Sequence, residues 1–340
     1  MSSLIVEVCR IERVLPHPNA DLLELAHIKG WQCVVPKGRY AAGALVTYVP
    51  IDAVIPTELS ERLGITKYLS NGRVRCAKLR GEPSFGVIMD VEDPSWAEGT
   101  DVRERYGITK YVPPLKPSAG DAAPAHPLFV SYTDVENLRN FPGVLADGEE
   151  VVVTEKLHGT NCRVGLVEGE LMAGSMEVRR QRPDPGREAS SIYWFPTTLP
   201  GVTSLLADLA AGGARQAIVF GEVFGSKVQN LHYGRKGELG FAAFDVMADG
   251  RYLDAPEFEA LCTRHGVPTV PVLHRGPFAL ERVKRLSDGP TTVGDGGHIR
   301  EGVVVRPVRE RTDPKVGRAI LKYIGDGYLF AKGITDTDDV

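Results

Sequence analysis

Thr154-Glu155-Lys156-Leu157-His158-Gly159-Thr160-Asn161 is the stretch from which the rest of the chain can be organised. It follows Val151-Val152-Val153, a short apolar run of the kind that forms a buried strand. A lysine at a strand end, followed by glycine and small polar residues, suits nucleophilic chemistry on a phosphate. An ammonium is no nucleophile until it loses a proton, and desolvation or a nearby cation lowers its pKa enough for that. Gly159 permits a tight turn and close backbone approach to a ligand. Thr160 and Asn161 add neutral hydrogen-bonding groups. Lys-x-x-Gly also occurs in ordinary solvated turns, so the residues downstream must supply the rest of a site.

They do so in order. Arg163–Val167 and Leu171–Ser175 read as a hairpin around Glu168-Gly169-Glu170. Arg179, Arg180 and Arg182 follow, able to hold a 5′-phosphate through forked hydrogen bonds or to form a solvated basic loop. Residues 203–211 are rich in leucine and alanine and read as a helix packed on a sheet. Glu222 interrupts the apolar strand Ile218–Gly225. A buried charge there needs a ribose hydroxyl, a metal or an arginine as partner. Phe244, in the strand Phe241–Val246, is either core or a platform for a purine. Glu301 opens the strand Gly302–Arg306 and is placed for a hard divalent cation, which takes oxygen ligands. Lys322 lies within Ala319–Ile324 and needs an anionic partner such as a phosphate.

Upstream, residues 1–112 read as five short strands with Gly/Pro turns, the pattern of a small OB-fold barrel. The strands are expected at Leu4–Val8, Leu25–Ile28 running through a Lys29-Gly30 turn into Trp31–Val35, Ala44–Val49, Arg73–Leu79 and Phe85–Met89. Arg73, Arg75, Lys78 and Arg80 are candidate nucleic-acid contacts, with alternation placing Arg73 and Arg75 on one face. The same pattern also suits a solvated edge. His17–Glu24 and Lys78–Gly86 resemble segments of tRNA-binding OB modules, and equally build barrel turns. Residues 113–127 form a proline-rich linker, and Asp134–Leu138 reads as the start of a short helix. Residues 128–340 make the second domain.

Composition sets outer limits. The 340 residues are 43% hydrophobic and 25% charged, an ordinary globular balance with length for two cores. A net charge of −4 gives no global attraction to nucleic acid, so any such binding rests on local basic patches. Five scattered cysteines without Cys-x-x-Cys argue against a zinc site or a disulfide framework. No secretory signal or membrane span is evident, so a reducing, cytoplasmic setting is expected.

Lys156 with its flanks, Phe220-Gly221-Glu222, Phe244-Asp245-Val246, Arg300-Glu301-Gly302 and Leu321-Lys322-Tyr323 stand in the order of the motifs of the covalent nucleotidyltransferases. The string around Lys156 resembles the form found in ATP-dependent RNA ligases, over about residues 128–330. An OB domain placed first resembles the bacterial class that seals nicks having an RNA 3′-hydroxyl and accepts an RNA or DNA 5′-phosphate strand. The resemblance implies an α+β fold, an OB-fold barrel followed by a domain of antiparallel sheets flanked by helices. It implies that Lys156 becomes a lysyl-AMP, that AMP passes to a 5′-phosphate, and that the 3′-hydroxyl then displaces it. By the same resemblance Glu155 lies near the adenine amino group and Asn161 near the reacting phosphates, and His158 belongs to the motif. Arg179 or Arg180 holds a ribose hydroxyl or phosphate. Glu222 meets the ribose or a hydrated metal, Phe244 stacks on adenine, Glu301 binds metal, and Lys322 binds the α-phosphate. The implied cofactors are ATP with Mg2+ or Mn2+, and the partner is a nicked duplex of RNA or an RNA/DNA hybrid bound by a monomer.

One departure stands out. Many family members end on Lys-x-Lys, whereas this chain has Lys322-Tyr323-Ile324. Lys315 and Arg318 are the nearby candidates to supply the second cation. A DNA ligase, a GTP-using capping-type enzyme and a non-catalytic OB-fold RNA-binding protein are the competing readings. Joint retention of Lys156, Glu222 and Glu301 argues against the last.

Overall fold

The computed structural model describes residues 3–112, 121–226, 228–295 and 297–331. The Pro113–Gly120 part of the expected linker, and residues 332–340 of the second domain, lie outside the described residues. Two compact units result: 3–112 with 137–142, and 121–136 with 143–331.

In the first unit the strands form small antiparallel sheets. Glu7–Arg10, Leu45–Val49 and Val87–Asp90 make one, and Arg13–Pro16, Leu23–Ile28 and Trp31–Pro36 another. Cys76–Leu79 and Glu82–Phe85 pair as a hairpin. Two-residue turns with both residues in the left-handed region close the hairpins at Lys29-Gly30 (φ 52° and 80°) and Arg80-Gly81 (φ 51° and 95°). That turn matches the natural twist of a hairpin. The expected strand Phe85–Met89 is split at Gly86 (φ 111°), where a Cβ would collide with the Tyr48 ring and the Val49 carbonyl. The segment from Asp134 is extended at Glu136–Asn137 rather than helical, and Asn137 Oδ1 accepts the Arg139 N–H at 3.0 Å in an Asx turn.

The two segments likened to tRNA-binding modules hold each other. His17 Nδ1 accepts the Asn19 N–H at 3.0 Å, so Nε2 carries the proton it donates to the Leu79 carbonyl at 3.0 Å. Asn19 Nδ2 donates to the Arg80 carbonyl at 3.1 Å. Arg75, Lys78 and Arg80 are exposed, as surface contacts must be. Arg73 is not. It is 5% exposed, pairs with Asp52 at 2.6 Å and lies 3.8 Å from the centre of the Tyr111 ring. The pairing strand begins only at Cys76, so Arg73 and Arg75 do not share a face. Arg73 is therefore a buried structural cation and not a nucleic-acid contact.

The second unit is built on two antiparallel sheets. One runs in the order Leu321–Ile324, Gly302–Pro307, Glu150–Lys156, Val272–Pro277. The other runs Arg179–Arg180, Glu170–Ser175, Thr160–Val167, Gln216–Phe224, Gly240–Ala248, Arg251–Tyr252. The Thr160–Ser175 hairpin turns on Glu168-Gly169 alone (φ 49° and 85°). Registers assign the faces, because alternate residues of a strand point to opposite sides. In the first sheet, Val152 lies opposite Arg306, Thr154 opposite Val304, Lys156 opposite Gly302, and Val304 opposite Lys322. This face looks at the second sheet, since Arg306 reaches Asp245 at 3.1 Å and Val304 packs with Phe220 and Ile320. The other face carries Glu155, Val303 and Tyr323 and is covered by the helix Leu280–Ser287. The far face of the second sheet packs Cys162, Val164, Val219 and Phe241 against the helices Pro200–Ala211 and Ala255–His265. The sequence expectation of antiparallel sheets flanked by helices holds. No helix among the described residues is long and apolar enough to cross a membrane.

Arg73→Ala removes the guanidinium that pairs with the buried Asp52 carboxylate and is expected to lower the unfolding free energy by about 3 kcal/mol. Arg75→Ala, at an exposed position, should stay within about 0.5 kcal/mol of the parent. Urea unfolding of both variants checks this, and equal effects would contradict the burial argument.

Candidate active site

Lys156 ends its strand, and Leu157-His158-Gly159 carries the chain across to the second sheet at Thr160. Lys156 and Asn161 are thereby delivered to facing surfaces of the two sheets. The crossing is tight: a Cβ on Gly159 would clash with the Val223 carbonyl. The close approach that requires glycine here is to the protein's own neighbouring strand. Gly302, opposite Lys156, is restricted in the same way by the Tyr323 carbonyl.

Lys156 Nζ pairs with Glu301 Oε1, and Glu301 is fully buried. His158 sits behind this pair. Its Nδ1 is 3.8 Å from Glu301 Oε2 and 3.0 Å from the Tyr328 hydroxyl. The His158 backbone N–H donates to the Tyr233 hydroxyl at 2.8 Å. Burial, and then the charge of Glu301, raises the Tyr233 phenol far above its ordinary range, so it stays a neutral oxygen. Two buried tyrosines thus hold the histidine and the backbone just after the lysine.

On the facing sheet Asn161 lies opposite Glu222, which lies opposite Ala242. Asn161 Oδ1 is buried and has no hydrogen-bond partner among the described residues. A buried acceptor beside a carboxylate suits a donor brought by a ligand, such as a ribose hydroxyl or the water of a hydrated cation. Burial and the charge of Glu222 together push the neighbouring Cys162 thiol up. Phe244 is the extra residue of a bulge, because Phe220 faces Asp245 while Gly221 faces Ala243. Its half-buried ring meets Tyr132 edge-on, with centroids 4.9 Å apart. Lys322 is half-buried on the same face as Thr154 and Lys156, two strands away through Val304. Among the described residues no group of three or more His, Cys, Asp or Glu side chains could hold a metal ion. Glu222 and Glu301 therefore fit a cation only as partial ligands, with water and phosphate oxygens completing its shell.

Three expectations concern side chains that already have partners. Glu155 points away from Lys156, and its carboxylate is already engaged. It accepts from Thr291 Oγ1, from the Thr292 N–H at 2.9 Å and from Thr292 Oγ1 at 2.6 Å, with Arg300 Nε at 3.5 Å. At 1% exposure it anchors the 291–292 loop. Arg318 cannot replace the missing second lysine, because it is buried against Asp245 at 2.6 Å and Glu310 at 2.6 Å. Lys315 remains exposed at the turn of a short hairpin, Thr312–Asp313 with Gly317–Arg318. The arginines after the first hairpin are each paired with a carboxylate. Arg179 shares the face of Gly174 and Arg163 and pairs with Glu170. Arg180 points to the helix side and bonds Asp121 at 2.7 Å. Arg182 bonds Glu188 at 3.2 Å.

Sequence reasoning did not find Tyr233, Tyr328 or the Thr291–Thr292 clasp. Nothing in their local sequence marks them, since they act through contacts with distant strands. Thr154 was legible by alternation: two residues before Lys156, it shares the lysine's face and is half-buried.

Residues 149–324, just over half of the chain, match the RNA ligase family, and residues 5–91 match an OB-fold domain. The chain belongs to the RNA ligase family, with an N-terminal OB-fold domain preceding the ligase domain. It is accordingly an enzyme that joins RNA ends. No curated protein sequence matches it. Among solved structures, the Naegleria gruberi RNA ligase with pyrophosphate is similar at 24% identity and a TM-score of 0.78, covering 96% of this chain and 98% of that one. A mutant of that ligase with ATP and Mn is similar at 25% identity and a TM-score of 0.77, over 96% and 98% of the two chains. Another, with AMP and Mn, has 25% identity and a TM-score of 0.78 over the same shares.

If Glu155 is an anchor, Glu155→Ala leaves Arg300 buried beside an empty site and should cost about 3–5 kcal/mol of stability. Urea unfolding measures it. Undiminished stability together with altered preference for ATP over GTP would instead restore the adenine-reading role.

Proposed function

We propose that the protein seals 3′-hydroxyl/5′-phosphate nicks in duplexes through a lysyl-AMP formed from ATP, with RNA required on the 3′-hydroxyl side. The observation that carries this reading is half-buried Lys156, paired with fully buried Glu301, on the sheet face that looks towards the face carrying Asn161 and Glu222. The match to structures solved with ATP, AMP and Mn supports it.

In the free protein Glu301 is the counter-ion of the Lys156 ammonium. Attack requires the neutral amine, and Glu301 is the group within reach to take its proton. The amine nitrogen then bonds to the α-phosphorus as the bond to pyrophosphate breaks. His158, fixed by Tyr328, backs Glu301, while Tyr233 holds the backbone that follows the lysine. Lys322 and Asn161 face the space where the phosphates would lie, and most of the catalysis is positioning and charge. Glu222 and Glu301 would hold a hydrated Mg2+ or Mn2+, which supplies positive charge against the ammonium and the developing phosphate charge. Phe244, its edge fixed by Tyr132, would take the adenine ring. In the second transfer AMP passes to the 5′-phosphate oxygen and frees Lys156. In the third, the 3′-hydroxyl oxygen displaces AMP and closes the phosphodiester.

A monomer acting on one nick at a time is the simplest working unit. All five cysteines are free, and burial pushes the Cys9, Cys33, Cys76 and Cys262 thiols up to about 12, so they stay protonated and inert.

The test compares two nicked duplexes that differ only in whether the 3′-terminal nucleotide carries a 2′-hydroxyl. Efficient sealing of the ribonucleotide end, and at least tenfold slower sealing of the deoxy end, is expected. Equal rates would move the protein towards the DNA ligases. Glu301→Gln should lower the rate of AMP transfer to Lys156 by about 100-fold or more, the scale seen on removing one electrostatic group from an active site.

A further inference from the structure

Between the strands Gln216–Phe224 and Gly240–Ala248 the chain makes a turn whose conformation the chemistry above does not require. Tyr233 (φ 49°) and Gly234 (φ 78°) are both left-handed, and the His232 carbonyl accepts the Arg235 N–H at 2.7 Å. These are the marks of a type I′ turn, whose first central position ordinarily holds Gly, Asn or Asp. For a residue as bulky as tyrosine the left-handed region is strained. Such strain persists where the surroundings over-determine it, and it clusters at functional sites. The surroundings of Tyr233 are specific. It is 2% exposed, and its ring meets Phe224 edge-on with centroids 5.4 Å apart. Its hydroxyl accepts the His158 N–H at 2.8 Å, two residues beyond Lys156. Gly294 packs on the Tyr233 carbonyl so closely that a Cβ would collide with it. The chain just after the Thr291–Thr292 clasp thus rests on this turn.

His232 closes the turn from within. Its Nδ1 accepts the Gly234 N–H at 3.0 Å. A ring nitrogen accepts only when it carries no proton, so this bond needs the neutral imidazole with its hydrogen on Nε2. The His298 ring stands edge-on to His232 with centroids 4.3 Å apart, and 6.0 Å from the Tyr233 ring. Burial, then the charge of His232, holds His298 below the ordinary imidazole range against the pull of Asp295, and Lys236 lowers it further. Asp295 is exposed and already accepts the Gly297 N–H at 3.0 Å, while Arg235 is paired with Glu238 at 3.4 Å. Acid therefore strikes the turn twice. It removes the acceptor that holds the Gly234 N–H, and it sets two imidazoliums and Lys236 against one another. A group held below its ordinary range stabilises the fold at neutral pH and loses that effect as pH falls, so the turn loosens on the acid side.

We propose that His232 is a positioning residue for AMP transfer to Lys156: its neutral ring holds the turn that sets the Tyr233 hydroxyl on the His158 N–H, and protonation releases that hold. The inference rests on the lysyl-AMP reading. His232 touches neither nucleotide nor lysine. It acts through Tyr233 on the backbone that follows the nucleophile, where a displacement of about 1 Å can cost roughly 100-fold in rate.

The test follows single-turnover AMP transfer from ATP to Lys156 in the full chain. His232→Ala and Tyr233→Phe should each slow the transfer about tenfold. The ATP concentration for half-maximal rate should stay within about twofold, because orientation and not nucleotide binding is lost. His232→Asn should restore the rate lost in His232→Ala, since an asparagine side-chain oxygen accepts the N–H two residues on in an Asx turn. Asparagine does not titrate. The rate of His232→Asn relative to wild type should therefore rise about fivefold or more between about pH 8 and about pH 5.5. Protonation of Lys156 itself cancels in that ratio, and a role for His232 in packing alone leaves the ratio constant. A constant ratio, His232→Ala or Tyr233→Phe at the wild-type rate, or His232→Asn as slow as His232→Ala overturns the inference and leaves the lysyl-AMP reading standing. Wild-type protein that takes no AMP from ATP overturns both.

Discussion

Asp245 is the constraint on which the ligase domain depends. Fully buried on the second sheet, it receives Arg306 from the first sheet at 3.1 Å, Arg318 at 2.6 Å and the Tyr132 hydroxyl at 2.9 Å. Glu310 balances the second positive charge. Burial alone would lower the Arg306 and Arg318 pKa values, but their anionic surroundings, with Asp245 common to both, more than offset that, so both remain charged. Removing one member would leave an uncompensated charge in the core, a far larger cost than loss of a surface pair. The cluster ties the sheets together at the level of Val152, opposite Arg306. Four residues further, about 13 Å along the strand, the same pair of sheets faces across Lys156. The hub thus fixes how the lysine and its facing residues are presented.

Strand alternation then divides the labour of the motif. Lys156 and Thr154 face the second sheet, while Glu155 faces the helix side and anchors a loop with Thr291, Thr292 and Arg300. One residue of register separates the side chain that faces the second sheet from the one that anchors a loop. Gly159 and Gly302 belong to this arrangement because neighbouring carbonyls fill the space a Cβ would need. These glycines serve packing of the site and not left-handed turns.

Much of this was legible in the sequence. The order of motifs around Lys156, Glu222, Phe244, Glu301 and Lys322 identified the family, and apolar strands interrupted by single charges located them on sheets. Gly/Pro punctuation located the OB-fold unit and its Lys29-Gly30 turn. What was not legible depends on contacts between distant residues. Arg73 and Arg75 look alike in sequence, yet Asp52 and Tyr111 bury the first and leave the second exposed. Arg318 resembles a spare active-site cation until Asp245 and Glu310 are seen to hold it. Tyr233 and Tyr328 reach His158 from 75 and 170 residues away, and no local pattern announces that.

The central claim is that Lys156 carries AMP during turnover. The most direct measurement incubates the protein with α-labelled ATP or GTP and Mg2+ or Mn2+, then isolates the labelled peptide, with Lys156→Ala beside it. The account predicts an acid-stable label from ATP, located on Lys156 and absent from the variant. Label on another residue, label from GTP in preference to ATP, or no label on folded protein free of prior AMP would contradict it.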